Sequence, residues 1–314
     1  MQQMNADKLK NFKGIGYGLS SGMFWGLSTA LSSGLLLAAP FIWQDSRLVA
    51  PTLLLAFFND GFSAIWVTLL LWKKKEVKAT LRQLTSRSSW WMIVAALCGG
   101  PLGMRAYLYA IDQIGASYTA SISAVYPVVA ALLVVVLLKE RLPWYRWLGL
   151  LLAVFAIYGV SQSSDQISLA TQPLGFMAAG LCVVGWSLEV VISSIMMKTN
   201  LNATQALCIR QWVCTVAYFA FIVVEKDAFF SLGAVIAQPI LWQIALVALI
   251  GTLSYLNFYR AIEAIGPVKA TGLNISYSIW AIIFSLWLVG GELNIMLIVC
   301  SGAMIVSCLL VARS

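Results

Sequence analysis

Apolar residues run through this chain in blocks of about 20, the length at which a helix crosses the hydrocarbon layer of a bilayer. Inside that layer no water satisfies the backbone, so each segment must close its own hydrogen bonds. Segments of this length do so as helices rather than as barrel strands. Ten spans are expected, at 14–39, 51–72, 90–112, 116–138, 144–161, 173–198, 203–224, 238–262, 267–289 and 293–312. Only 10% of the 314 residues are charged, against about 25% in a soluble domain. The expected fold class is all-α integral membrane. The apolar run that follows Lys8, Lys10 and Lys13 continues from Gly14 to Ala39, too long for a signal-peptide core, and is read as the first span.

Lysines and arginines set the orientation. The N-terminus, the 73–87 loop (Lys73, Lys74, Lys75, Lys78, Arg82, Arg87), the 139–146 turn, Lys198, the 260–269 turn and Arg313 share one side. The alternate loops hold only Arg47 and Lys226. Both termini are expected in the cytoplasm. This sorting accounts for the net charge of +8, so no nucleic-acid partner is expected.

The chain has no histidine, and its six cysteines all lie in apolar blocks without metal-ligand spacing. There is also no Walker-type loop and no sizeable soluble domain. These absences argue against an enzyme, a metal and a cofactor alike.

An internal repeat organises the spans. "GPLGMRAYLYAIDQIGASYTASISAVYPVVA" (100–130) aligns without gaps on "GTLSYLNFYRAIEAIGPVKATGLNISYSIWA" (251–281), at a constant offset of 151. Identities include Gly100/Gly251, Ala110/Ala261, Gly115/Gly266 and Tyr126/Tyr277. Five spans separate the copies, and an odd number inverts the second. The expected architecture is two inverted five-helix repeats, 14–161 and 173–312. Such repeats build carriers that rock around a site at the membrane midplane.

Polar stripes mark where that site would lie. Ser21, Trp25, Ser28 and Ser32 share one face of the first span; Cys182, Trp186, Glu189 and Ser193 share one face of the sixth. Tyr126 in the fourth span, Tyr255 in the eighth, and Asn274 and Tyr277 in the ninth add further polar faces. Stripes on several helices call for a common wet cavity. Aromatic faces converging there make a cage for an ammonium group; each tryptophan alone is equally compatible with packing.

Four charges lie deep. At a rise of ~1.5 Å per residue, Arg105 sits ~10 Å below the outer surface, Asp60 ~14 Å, Arg210 ~21 Å and Glu189 ~24 Å. Asp60 is therefore expected to pair with Arg105, and Glu189 with Arg210. These pairs can simply lock helices together. Glu189, on the stripe with Trp186, can also neutralise a bound cation or hold a proton that substrate displaces. Small-molecule substrate, proton and membrane lipid are the expected partners.

Together these features resemble the drug/metabolite transporter superfamily in its ten-span EamA-type form, and within it the LicB-type choline importers. The stretches that carry the resemblance are "GLSSGMFWGL" around Trp25, "GGPLGM" at 99–104, "SISAVYP" ending at Pro127, "WSLE" at 186–189, "IRQ" at 209–211 and "KATGLNISY" at 269–277. They keep their order from the first span to the ninth. The resemblance implies a proton-coupled choline carrier of the inner membrane, with Trp25, Trp186, Tyr126 and Tyr255 around the quaternary ammonium and Glu189 as the acid. One position departs from the pattern. Arg105 stands where the family is expected to carry a neutral amide, and a free guanidinium there would favour a zwitterion such as betaine, carnitine or an amino acid.

Overall fold

The computed structural model describes residues 2–36, 38, 41, 50–123, 125–139, 141–161, 172–199, 201–289 and 295–313, which leaves Arg47 outside the described residues. The described residues form helices and no strand. In order these are α1 (Gln2–Leu36), α2 (Pro51–Lys73), α3 (Val77–Gln83), α4 (Arg87–Leu97), α5 (Arg105–Ser123), α6 (Tyr126–Leu137), α7 (Trp144–Ser161), α8 (Pro173–Met197), α9 (Ala203–Val224), α10 (Lys226–Ile236), α11 (Ile240–Ile265), α12 (Pro267–Asn274), α13 (Tyr277–Val289) and α14 (Ile295–Ala312). Between α4 and α5 the segment Cys98–Met104 winds as a π-helix with Pro101 inside it. Five segments are long and apolar enough to cross a membrane: Pro51–Lys73, Ser89–Ile114, Pro173–Met197, Ala203–Val224 and Ile240–Ile265. The protein is a multi-pass membrane protein.

Local chemistry explains the boundaries. α9 begins with a capping box: the Gln205 amide donates to the Asn202 side chain at 3.0 Å, and the Asn202 amide donates to Gln205 Oε1 at 3.1 Å. α11 stops at Gly266, whose φ of +81° only glycine adopts freely, and Pro267 opens α12. The expected ninth span is in fact two helices, α12 and α13, broken at Ile275–Ser276. α1 begins well before the expected residue 14, so its lysine-bearing start is helical. In the first copy, helical bonding persists through the turn expected at 112–116. The packing nevertheless reverses there. Gly99, Gly103 and Ile114 lie beside Glu189, Trp186 and Gly175, an antiparallel run along α8. Tyr126 then meets Ser187, and Ala130 and Val134 pack in one cluster with Val191, a parallel run.

α1 repeats this arrangement. It runs antiparallel to α11, with Gly14 against Ile265 and Ser254 Oγ donating to the Ser21 carbonyl at 2.8 Å. It runs parallel to α12 and α13, with Gly18 against Leu273 and Gly26 against Ala281. Where the two copies meet, Tyr126 OH donates to Asn274 Oδ1 at 2.9 Å and Ser123 Oγ lies 3.0 Å from Tyr277 OH. Ser123 and Asn274, like Tyr126 and Tyr277, are 151 residues apart. Residue i of one copy thus meets the counterpart of j while j meets the counterpart of i, the exchange that a two-fold axis imposes.

Candidate functional site

Trp25 from α1 and Trp186 from α8 face each other across this axis, ring centroids 6.1 Å apart and nearly perpendicular. Tyr255 stands 5.1 Å from Trp25, while Tyr126 and Tyr107 stand 5.6 and 4.9 Å from Trp186. Of these contacts Trp25–Trp186, Trp25–Tyr255 and Tyr126–Trp186 are edge-to-face, an arrangement that aromatic pairs prefer, and Tyr107–Trp186 is tilted. Trp72 and Trp242, near helix ends, are 73% and 76% exposed as in a lipid-facing belt, whereas Trp186 is 8% exposed.

Trp25, Tyr126, Trp186, Glu189, Tyr255 and Asn274 line a cavity of about 40 Å³, with Val190, Ser254 and Phe258 completing it. A buried water needs roughly 10–15 Å³ of such space, so the cavity has room for a few waters and no more in this conformation. A second cavity, of about 30 Å³, lies on the Ser28 and Ser32 side of Trp25 and is also lined by Thr29, Asn59 and Tyr107. Trp25 is the one residue common to both linings, so its indole separates a carboxylate-bearing chamber from a hydroxyl-rich one.

Behind the aromatic rings lies a buried ionic network. Arg210 is wholly enclosed, at 0% exposure. Its Nε donates to Glu189 Oε1 at 2.9 Å, Nη1 to Asp60 Oδ2 at 3.1 Å and to Gln211 Oε1, and Nη2 to Tyr255 OH at 2.9 Å. Its guanidinium carbon lies 4.3 Å from the Tyr255 ring centroid. Tyr259 OH donates to the same Glu189 oxygen at 2.7 Å. Gln211 donates onward to Ser63, which accepts from Thr252 at 2.8 Å. One cation thus serves two carboxylates, leaving Asp60 Oδ1 buried without a hydrogen bond, and with all three ionised the cluster carries one net negative charge.

The expected Glu189–Arg210 ion pair is present; the expected Asp60–Arg105 pair is not. Depth along the helix axis suggested the wrong partner for Asp60, because a long arginine side chain spans the difference in height. Arg105 is half-buried, its guanidinium 5.2 Å over the Phe221 ring, and lines neither cavity beside Trp25. Tyr277 is buried behind the first cavity and bonds Ser123 instead of lining it. Asn274 lines the cavity through a side chain held from both sides, by Tyr126 OH and by its own donation to Ser21 Oγ at 2.8 Å.

Sequence reasoning placed Tyr259 beside Tyr255 on the eighth span without assigning it a partner, and it passed over the glycines that let the helices close on the site. A Cβ on Gly99 would overlap the Glu189 carboxylate, and one on Gly103 would sit 2.7 Å from the Trp186 ring. The "CGGPLGM" π-segment is therefore a collar around both residues, and wide-turn helix of this type recurs at functional sites. Its signal was a pair of glycines and a proline inside an apolar span.

The EamA-like transporter family matches the chain twice, over residues 12–162 and 173–313. Protein LicB of Haemophilus influenzae is 32% identical over 270 residues, covering 86% of this chain and 87% of the relative. A solved crystal structure superposes with a TM-score of 0.70 over 95% of each chain at 15% identity, a likeness of fold alone. The chain belongs to the EamA-like transporter family.

Proposed function

We propose that this membrane transporter is a secondary carrier for choline or a close quaternary-amine relative. It is coupled to protons and works by alternating access, in an inner membrane with both termini cytoplasmic. The observation that carries the reading is a single carboxylate, Glu189, opening onto a cavity walled by Trp25, Trp186, Tyr126 and Tyr255. Aromatic faces contribute about 0.5–2 kcal/mol each to a desolvated ammonium. The net negative charge of the Asp60–Arg210–Glu189 cluster favours one further positive charge, either a proton or a substrate cation. Arg105, the residue that would recruit a zwitterion's carboxylate, lies over Phe221 instead, which favours a cation over betaine or carnitine.

Ten spans in two inverted five-helix repeats suit this mechanism. The reciprocal Ser123/Tyr277 and Tyr126/Asn274 contacts support the inversion, as does the two-fold family match. A cavity sized for a few waters must widen to admit a quaternary amine, and rocking of one repeat on the other supplies that change. Uptake of labelled choline into proteoliposomes, with and without an imposed pH gradient, tests the proposal. Betaine and carnitine serve as competitors. Glu189→Gln is expected to fold, because an amide oxygen still accepts from Arg210 and Tyr259, and to lose the pH dependence of uptake. A pH response identical to the parent's removes Glu189 from the coupling mechanism.

A further inference from the structure

A third cavity, of about 260 Å³, lies away from the aromatic site, between α2, α3 and α9. Leu71 forms one wall, Val77 of the short helix α3 and Leu84 just past its end form the roof, and Cys208 and Ile209 form the floor. The hydroxyls at its edge are turned inward: Thr68 donates to the Ala64 carbonyl at 2.7 Å and accepts from Trp212 Nε1 at 2.9 Å, and Thr80 donates to the Glu76 carbonyl at 3.0 Å. Water finds almost nothing to bond there, and apolar cavities of roughly 150 Å³ are already known to stay dry. Leaving a larger one empty would forfeit the dispersion contacts of its whole lining. In a multi-pass membrane protein the available apolar filler is a lipid chain.

The rim names the lipid. Lys73, Lys74, Lys78 and Arg82 are all exposed on the α2 end and α3, next to the slot. Among residues 73–87 the lone acid is Glu76, and its carboxylate already accepts from Asn202 Nδ2 at 3.2 Å. We infer that this slot is a binding site for one anionic phospholipid, an acyl chain lying against Leu71 and Cys208 and the phosphate on the Lys78/Arg82 face. The bound chain would wedge α3 against α9 one residue before Arg210, so the lipid braces the helix that carries the ionic network. The inference depends on the chain lying in a membrane and is independent of what the carrier transports.

Native mass spectrometry of the purified protein, exchanged from detergent into mixtures of phosphatidylglycerol and phosphatidylcholine, tests it. The expected result is one retained phosphatidylglycerol. Its occupancy should fall roughly tenfold in the double variant Lys78→Glu, Arg82→Glu. It should fall similarly when the slot is filled by Cys208→Phe, or by Leu84→Trp at the exposed rim should Cys208→Phe fail to fold. Equal retention of phosphatidylcholine overturns the headgroup assignment. An adduct that survives both the charge and the filling variants lies elsewhere, and no adduct at all overturns the site.

Discussion

Arg210 is the residue whose loss the structure makes most costly. It is fully enclosed and gives four hydrogen bonds, to Glu189, Asp60, Gln211 and Tyr255. Arg210→Met keeps the volume of the side chain but leaves two carboxylates, at 1% and 5% exposure, without their cation. Breaking a buried pair in this way costs about 3–5 kcal/mol. At roughly 2 °C of melting temperature per kcal/mol for a chain of this size, unfolding should fall by about 6–10 °C. The same physics predicts rescue. In the triple variant Asp60→Asn, Arg210→Met, Glu189→Gln the cluster buries no charge, so most of the loss should return, just as buried ion clusters elsewhere are replaced by neutral residues at little cost. The assay is thermal unfolding in detergent, followed by tryptophan fluorescence or by the monodisperse fraction remaining after heating. An Arg210→Met protein as stable as the parent, or a triple variant no better than the single one, would refute the idea that unpaired charge dominates the energetics here.

Removing the indole that parts the two cavities, by Trp25→Ala, should weaken choline affinity by about 2- to 30-fold, the range one cation–π contact provides, with Trp25→Phe intermediate; competitive uptake measures it. Gly99→Ala drives a methyl into the Glu189 carboxylate and should cost about 1–3 kcal/mol while shifting the pH profile of uptake. Gly61→Ala, whose new methyl would meet Thr215 at an ordinary 3.5 Å, should leave both unchanged. Arg105→Gln should leave choline uptake within about twofold of the parent and admit no new zwitterion, because the guanidinium is outside the cavity; a large gain in choline affinity would return Arg105 to the site.

Much of the architecture was legible along the chain because its determinants are local. Hydropathy summed over about 20 residues marks a membrane segment whatever that segment packs against, so α2, α8, α9 and α11 appear close to their expected limits. The 151-residue offset was likewise visible in the letters, and Trp25 and Trp186, singled out from two helical stripes, stand edge to face with ring centroids 6.1 Å apart. Which arginine serves which carboxylate was decided only in three dimensions. Pairing depends on how each helix is rotated and on the reach of a flexible side chain, neither of which depth along an axis records. Asp60 therefore went to Arg210 on α9, and Arg105 turned to Phe221. The same holds for the glycine collar at Gly99 and Gly103 and for the division of the interior by a single indole. These are properties of surfaces brought within a few ångströms of one another, and only packing creates such surfaces.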